Sequence, residues 1–317
     1  MSRRRVLLML KPLDVYTARF TESSQLHRFR NPQILRYLDD RCKVHNDTIS
    51  LCQDVLQRRS LDWEPFLCNR LEQPIRHVDL VISVGGDGTL LQASHFIDDS
   101  IPIVGVNSDP TRVEEVQEFS HDFDATRSTG YLCAATAGNF EQVLDEILKG
   151  HRAPSGLSRI SVCINNHLLP TYALNDILVA HPCPATASWF SFRIKGDGDD
   201  GQERSPLVNC RSSGLRVSTA AGSTAAMLSA GGFPMPISSQ DLQYMVREPI
   251  LPGASNSHLM HGVIKSDQTM HVTWYKKQGK VYIDGSHVFH SVNHGDTIEV
   301  SSRAPILKVY LPPHLLQ

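Results

Sequence analysis

The apolar run Leu80-Val81-Ile82-Ser83-Val84 empties directly into Gly85-Gly86-Asp87-Gly88-Thr89 and then into Leu90-Leu91. A buried strand that ends in three glycines gives the backbone access to φ > 0 and lets amide N–H groups approach phosphate oxygens with no Cβ in the way. A helix expected to start near Thr89 adds its positive N-terminal end to the same turn. Asp87 is the odd member, because a carboxylate beside phosphates repels them unless it binds a metal or takes a proton from an attacking hydroxyl. The plainer alternative is a tight βα turn in which glycine supplies geometry and the acid caps the helix.

The flanking segments place this turn in a parallel sheet. The helix after it runs to about Ile97, and a second apolar run, Ile101 to Val106, follows. Strand, helix, strand in that order is a βαβ unit. Upstream, Val6 to Leu10 reads as a first strand. Leu38, Cys42, His45, Ile49, Cys52 and Leu56 recur at helical spacing, so an amphipathic helix is expected from about Pro32 to Arg58, with His45 at the core edge. Asn139 to Leu148, closed by Gly150, predicts one more helix before a linker at 151–158.

From Arg159 onward the texture changes to short alternating strands divided by turn residues. Examples are Arg159–Ile164, Asn165-Asn166, Leu168–Leu174, Lys280–Asp284 and Thr297–Val300. The chain therefore divides into an α/β domain with a Rossmann-like parallel sheet at 1–150 and an all-β, sandwich-like domain at 151–317. The last roughly 15–20 residues are free to pack back on the first domain.

With 41% apolar and 20% charged residues and a net charge of -2, the 317-residue chain lacks the basic face or charge block of a nucleic-acid or membrane binder. Seven scattered cysteines with no CxxC pair read as reduced thiols in a cytoplasmic setting. Fifteen histidines form no HExxH, so no metal held by the protein itself is expected. Gly196 to Gly201 resembles a calcium loop, but Val208 stands where the bidentate Glu belongs, and a hairpin tip is expected instead. The apolar stretch behind Met1-Ser2-Arg3-Arg4-Arg5 is too short for a signal core or a span, and Leu315-Leu316-Gln317 is not a peroxisomal tripeptide.

Two further constellations carry chemistry. Asn175-Asp176 interrupts an otherwise apolar strand, which is costly unless something satisfies the pair. It reads as a β-bulge or as a ribose clamp, in which a carboxylate accepts from sugar hydroxyls while Asn both donates and accepts. Ser218 to Met227 is rich in small and hydroxyl residues between a strand at Gly214–Val217 and a short helix closing at Gly231-Gly232. Such a segment admits a flat or charged ligand, or simply packs closely against a neighbouring strand.

In this order the three elements resemble the NAD kinase family over most of the chain. Gly105 to Pro110, Ser128 to Cys133 and Ser212 to Leu215 are similar to plant-type NADH kinases nearly end to end. Diacylglycerol and sphingosine kinases share only the first element. The resemblance implies ATP-dependent phosphorylation of the adenosine 2′-hydroxyl of NADH, and of NAD. Mg²⁺ or Mn²⁺ accompanies the ATP, small molecules are the only substrates, and a homodimer is expected. It assigns Asp87 as the base, and Gly85, Gly86, Gly88, Thr89, Asn175, Asp176, Ser213, Gly222, Ser223, Thr224 and Ala225 as binding residues. A lipid kinase and a non-catalytic dinucleotide sensor are the rival readings. The chain departs from the family pattern in three places: Asp109-Pro110-Thr111 intervenes before STGYLC, Ser213 replaces an Asp, and Ala226 replaces an aromatic Tyr.

Overall fold

The computed structural model describes residues 4–12, 32–196, 205–250 and 258–316. The hairpin tip expected beyond Gly196 lies outside the described residues. The chain forms two compact units, Met1–Ser155 with Lys308–Gln317, and Gly156–Leu307.

The first unit contains β1 (Arg5–Leu10), α1 (Pro32–Arg58), β2 (Asp62–Leu67), β3 (Leu80–Gly85), α2 (Asp87–Ser94), β4 (Ile103–Asn107), α3 (Val113–Glu118), β5 (Ala135–Thr136) and α4 (Phe140–Leu148). Its strands lie in the order β2-β1-β3-β4, paired in parallel throughout. β3 and β4 are buried at every position, as central parallel strands covered on both faces must be. Val6, Leu8, Ile82, Val84 and Val106 meet Cys52, Val55 and Leu56 of α1 and Phe140, Leu144 and Ile147 of α4 in one core. Each such side chain contributes about 1.5–3 kcal/mol on leaving water. α2 stops at Ser94, short of the expected Ile97, where the Ser94 hydroxyl turns back to donate to the Leu91 carbonyl at 2.7 Å.

The strand order reverses direction between β1 and β3. Ligands of open α/β sheets sit outside the carboxyl ends of the strands at such a reversal. Gly85, the last residue of β3, is at that position, and the GGDGT turn follows it.

The chain passes into the second unit through β6 (Ser155–Leu157) and continues with β7 (Ser161–Ile164), β8 (His167–Leu168), β9 (Asp176–Ala180), β10 (Ser188–Gly196), β11 (Val208–Ser212), β12 (Gly214–Ser218), α5 (Ala226–Ser229), β13 (Leu242–Arg247), β14 (His261–Ile264), β15 (Gln268–Trp274), β16 (Gly279–Ile283), β17 (Val288–Val292) and β18 (Thr297–Ser301). Two antiparallel sheets result, ordered β11-β10-β15-β18-β7-β8 and β14-β13-β12-β9-β16-β17. Alternate residues of both, including Phe190, Phe192, Val272 and Trp274 from one and Ile177, Val179, Leu215 and Val217 from the other, share a single sandwich core. Asn165 and Asn166 take φ of 49° and 64° between β7 and β8, the left-handed pair that a two-residue hairpin requires. A final strand, β19 (Leu307–Tyr310), returns to the first unit and pairs in parallel with β4, Val309 opposite Ile103. Among the described residues no helix is long and apolar enough to cross a membrane.

Candidate functional site

In the first unit the GGDGT turn is shaped as much by its own packing as by an open face. A Cβ on Gly85 would lie 2.1 Å from Thr89 Oγ1, and one on Gly86 would lie 2.3 Å from Ser128 Oγ. These two glycines therefore let Thr89, itself buried, and the loop at Ser128 close over the turn. At Gly88 nothing stands within 4 Å of such a Cβ, and the residue is exposed. Of the three, Gly88 is the one that leaves room for an incoming group.

Asp87 is the first residue of α2, with Gly86 as its N-cap. Its Oδ2 accepts the Tyr131 amide at 2.7 Å, and its Oδ1 accepts the Leu132 amide at 2.8 Å and the Cys133 thiol at 3.7 Å. The acid thus fastens the loop at 128–133 onto the start of the helix. Burial, and then the Asp87 charge, raise the pKa of the Cys133 thiol well above its ordinary value, so it stays a donor. A carboxylate oxygen carries two acceptor sites, so Oδ1 is filled by the amide and the thiol while Oδ2 retains capacity for a further hydroxyl.

The Asp109-Pro110-Thr111 segment is anchored by charge. Asp109 accepts from Arg41 Nε and Arg127 Nη1, both at 2.7 Å, and Arg127 also binds Glu115 at 2.6 Å and Asp40 at 2.7 Å. The Arg127 side chain is fully buried, and the Tyr37 ring lies 5.2 Å from its guanidinium. This network ties α1, α3 and the loop after β4 together beside the turn. His45 is also buried, with Nδ1 at 2.7 Å from Ser108 Oγ and Nε2 at 3.1 Å from the Lys11 carbonyl.

In the second unit Asn175 and Asp176 stand at the start of β9, not inside a longer strand. The reason is Asp284, in the left-handed region at φ 48° after β16. Its carboxylate accepts the amides of Leu174 and Asn175 at 2.7 Å and of Asp176 at 2.9 Å, taking up donors that a strand partner would otherwise use. Upstream, Ala173 makes only an isolated bridge with Ile160. The small-residue segment closes on the same backbone. Thr219 donates its amide to the Asn175 carbonyl at 2.9 Å, and a Cβ on Gly222 would fall 2.1 Å from that carbonyl oxygen.

The other expected binding residues divide by exposure. Ser223 is fully buried, its hydroxyl donating to the Ala220 carbonyl at 2.7 Å and accepting the Met235 amide at 2.8 Å. Thr224 is half-buried, and Ala225 and Ala226 are exposed at the start of α5. The Ser213 hydroxyl donates to the Arg247 carbonyl at 3.3 Å and to Glu248.

The ATP-NAD kinase N-terminal domain matches residues 14–110. A probable NADH kinase of Oryza sativa is 60% identical over 100% of this chain and 99% of its own length. The NADH kinase of Arabidopsis thaliana is 59% identical over 98% of this chain and 96% of its own. The chain belongs to the NAD kinase family. Its fold is shared by the NAD kinase from Archaeoglobus fulgidus crystallised with ATP, at a TM-score of 0.64 and 21% identity over 98% of this chain and 95% of that one. The yeast NADH kinase crystallised with NADH gives 0.65 at 14% identity, over 97% and 84%.

Two residues that contact the Asn175-Asp176 segment escape a reading by motif. Asp284 shows in the sequence only as the end of the expected strand Lys280–Asp284, and its grip on Leu174–Asp176 spans more than a hundred positions and leaves no local pattern. Arg216, on β12, forms an ion pair with Asp176 through Nη1 and Oδ2. The sequence shows it only as one charge within an apolar strand, Gly214-Leu215-Arg216-Val217. Burial pushes the Asp176 carboxyl up to about 6, Asp284 adds to the rise, and Arg216 opposes it.

Proposed function

We propose that this chain transfers the γ-phosphoryl group of ATP to the adenosine 2′-hydroxyl of NADH, and of NAD, yielding NADPH and NADP. The observation that carries this reading is identity of 60% and 59% to plant NADH kinases over nearly the whole of both chains. The lipid-kinase and sensor readings have no comparable support.

Phosphoryl transfer of this kind needs an in-line hydroxyl, neutralised charge on the transferred group and an acceptor for the hydroxyl proton. Asp87 supplies the acceptor through the free site on its Oδ2 while its amide contacts hold it in place. The α2 N-terminus and the open face at Gly88 receive phosphate oxygens. Asn175 and Asp176, held by Asp284 and Gly222, bind the dinucleotide's hydroxyls. Mg²⁺ or Mn²⁺ enters on the triphosphate and offsets its charge. Free cysteines throughout the described residues favour a cytoplasmic enzyme, testable by imaging a fluorescent fusion. A homodimer is the assembly expected of the family, and light scattering measures it.

Incubation with ATP, Mg²⁺ and either NADH or NAD, followed by separation of 2′-phosphorylated products, tests the reading. Absence of product from both would overturn it. NADH is expected to give the higher kcat/KM, because Ala226 and Ser213 stand where an aromatic face and an acid would favour the cationic ring of NAD. A ratio favouring NAD would overturn the preference alone.

A further inference from the structure

We propose that Arg216 is a positioning residue for the dinucleotide, holding Asp176 ionised and aimed so that both of its oxygens accept from substrate hydroxyls. The inference rests on the reading above that Asn175-Asp176 binds the dinucleotide, and it assigns a part to a residue outside the recognised motifs.

The strand register puts the two charges together. β12 runs antiparallel to β9 with Arg216 opposite Leu178 and Ser218 opposite Asp176. Arg216 and Asp176 are therefore diagonal neighbours on one face, while Ile177, Val179, Leu215 and Val217 point to the sandwich core with no exposure. An ion pair on this face is not needed to close that core. Its hydrogen bonding is also incomplete. Arg216 uses Nη1 on Asp176 and leaves Nε buried without a partner, and the adjacent Asn175 Oδ1 is buried without one as well. A purely structural pair would engage the guanidinium fork on both sides, and orphaned buried groups are costly. Keeping an unsatisfied donor and an unsatisfied acceptor beside one carboxylate is a cost that packing alone does not call for, and it fits a binding role for that carboxylate.

The charge balance gives Arg216 its task. Asp176 is faced by Arg216 from β12 and by Asp284 from the turn after β16. Asp284 is committed to three backbone amides and remains a fixed negative neighbour. Burial and that neighbour both favour the protonated form of Asp176, which would give up acceptor capacity to hold a proton. Arg216 is the group that opposes them. Removing it leaves Asp176 neutral at ordinary pH, and substrate affinity then recovers only in alkali.

Calorimetric titration of the full chain with NADH, at pH values from about 6 to 9, tests this for wild type, Arg216→Gln, Arg216→Lys and Asp176→Asn. Wild-type affinity should weaken as pH falls through about 6, where Asp176 protonates. Arg216→Gln should bind about tenfold more weakly at pH 7 and regain affinity toward pH 9, on the scale of one lost charge-assisted hydrogen bond. Arg216→Lys should restore most of the loss at pH 7. Asp176→Asn should bind weakly with no pH dependence in this range. Wild-type affinity and pH profile in Arg216→Gln, with Asp176→Asn weakened, would overturn the role of Arg216 and leave the clamp standing. Equal, pH-independent losses in Arg216→Gln and Arg216→Lys would also overturn it, reducing Arg216 to structure. Wild-type binding by Asp176→Asn would overturn the clamp itself. If Arg216→Gln does not fold, as judged by thermal melting, Arg216→Lys carries the test: a pH profile unlike both wild type and Asp176→Asn supports the proposal, and a profile identical to Asp176→Asn overturns it.

Discussion

Asp87 and Asp284 solve the same local problem with the same chemistry, each filling carboxylate oxygens with amides of consecutive residues, 131–132 in one case and 174–176 in the other. Asp87→Asn keeps the shape but offers one acceptor oxygen in place of two, so one loop amide loses its partner. Turnover should vanish in that variant, with stability lower by about 1–3 kcal/mol, as measured by turnover and denaturant titration. Near-normal turnover would remove Asp87 as the proton acceptor. His45 makes a different prediction. Burial lowers its pKa below the ordinary 6.5, so between its folded pKa and 6.5 the unfolded chain binds more protons than the folded one. Its contribution to stability is therefore present above 6.5 and is lost as pH falls through that window. Melting curves at about pH 7 and 5.5 should show a larger loss for wild type than for His45→Gln, and equal losses would exclude His45 as the sensitive group. At this scale the sequence announces which residues are chemically unusual but not which amides they hold. His45 was readable as a core-edge histidine, whereas its bond to Ser108 depends on a loop more than sixty residues away.

Elements were more legible than contacts where local physics alone decides them. The strand, glycine turn and helix at 80–94 follow from an apolar run, three glycines and a helix start, and α1 spans the expected Pro32–Arg58. The segment at 168–174 was misread as one strand: β8 ends at Leu168, Pro170 has no amide to donate, Ala173 makes only an isolated bridge with Ile160, and the Leu174 amide goes to Asp284, a partner that no local pattern reveals. The glycines separate the two roles of the turn and the small-residue segment. Gly222→Ala should destabilise by about 1–3 kcal/mol and weaken NADH binding, since the new methyl must push the Asn175 carbonyl away. Gly88→Ala should melt no lower than wild type, because helix propensity improves and nothing is crowded, yet its KM for ATP should rise. Thermal melts and steady-state kinetics check both, and full activity in Gly88→Ala would move the phosphates elsewhere.

Across the molecule, the α/β and antiparallel β textures are visible in the change of periodicity from Arg159 onward, because period and strand length are properties of short windows. What a window does not show is β19, whose Val309 and Tyr310 pair with Ile103 and Val104 from the far end of the chain. Tyr310 belongs to the core of the first unit, and the Leu311 carbonyl accepts from Arg152. Removing residues 308–317 should lower the melting temperature and expose hydrophobic dye-binding surface, the first read by calorimetry and the second by fluorescence. An unchanged melt would show that the first sheet stands without its last strand.

The late arrival of β19 also sets a clock on biosynthesis. β4 leaves the ribosome about 200 residues before its partner, a wait of roughly 10–40 s at ordinary elongation rates. During that interval a nascent first unit carries an open sheet edge beside β4, the surface on which misdirected pairing and chaperone capture act. The sandwich draws all its strands from residues 161–301, so every one of them is synthesised before β19. The first unit, most of whose strands are made earliest, is thus the one whose sheet waits for a strand made after those of the sandwich.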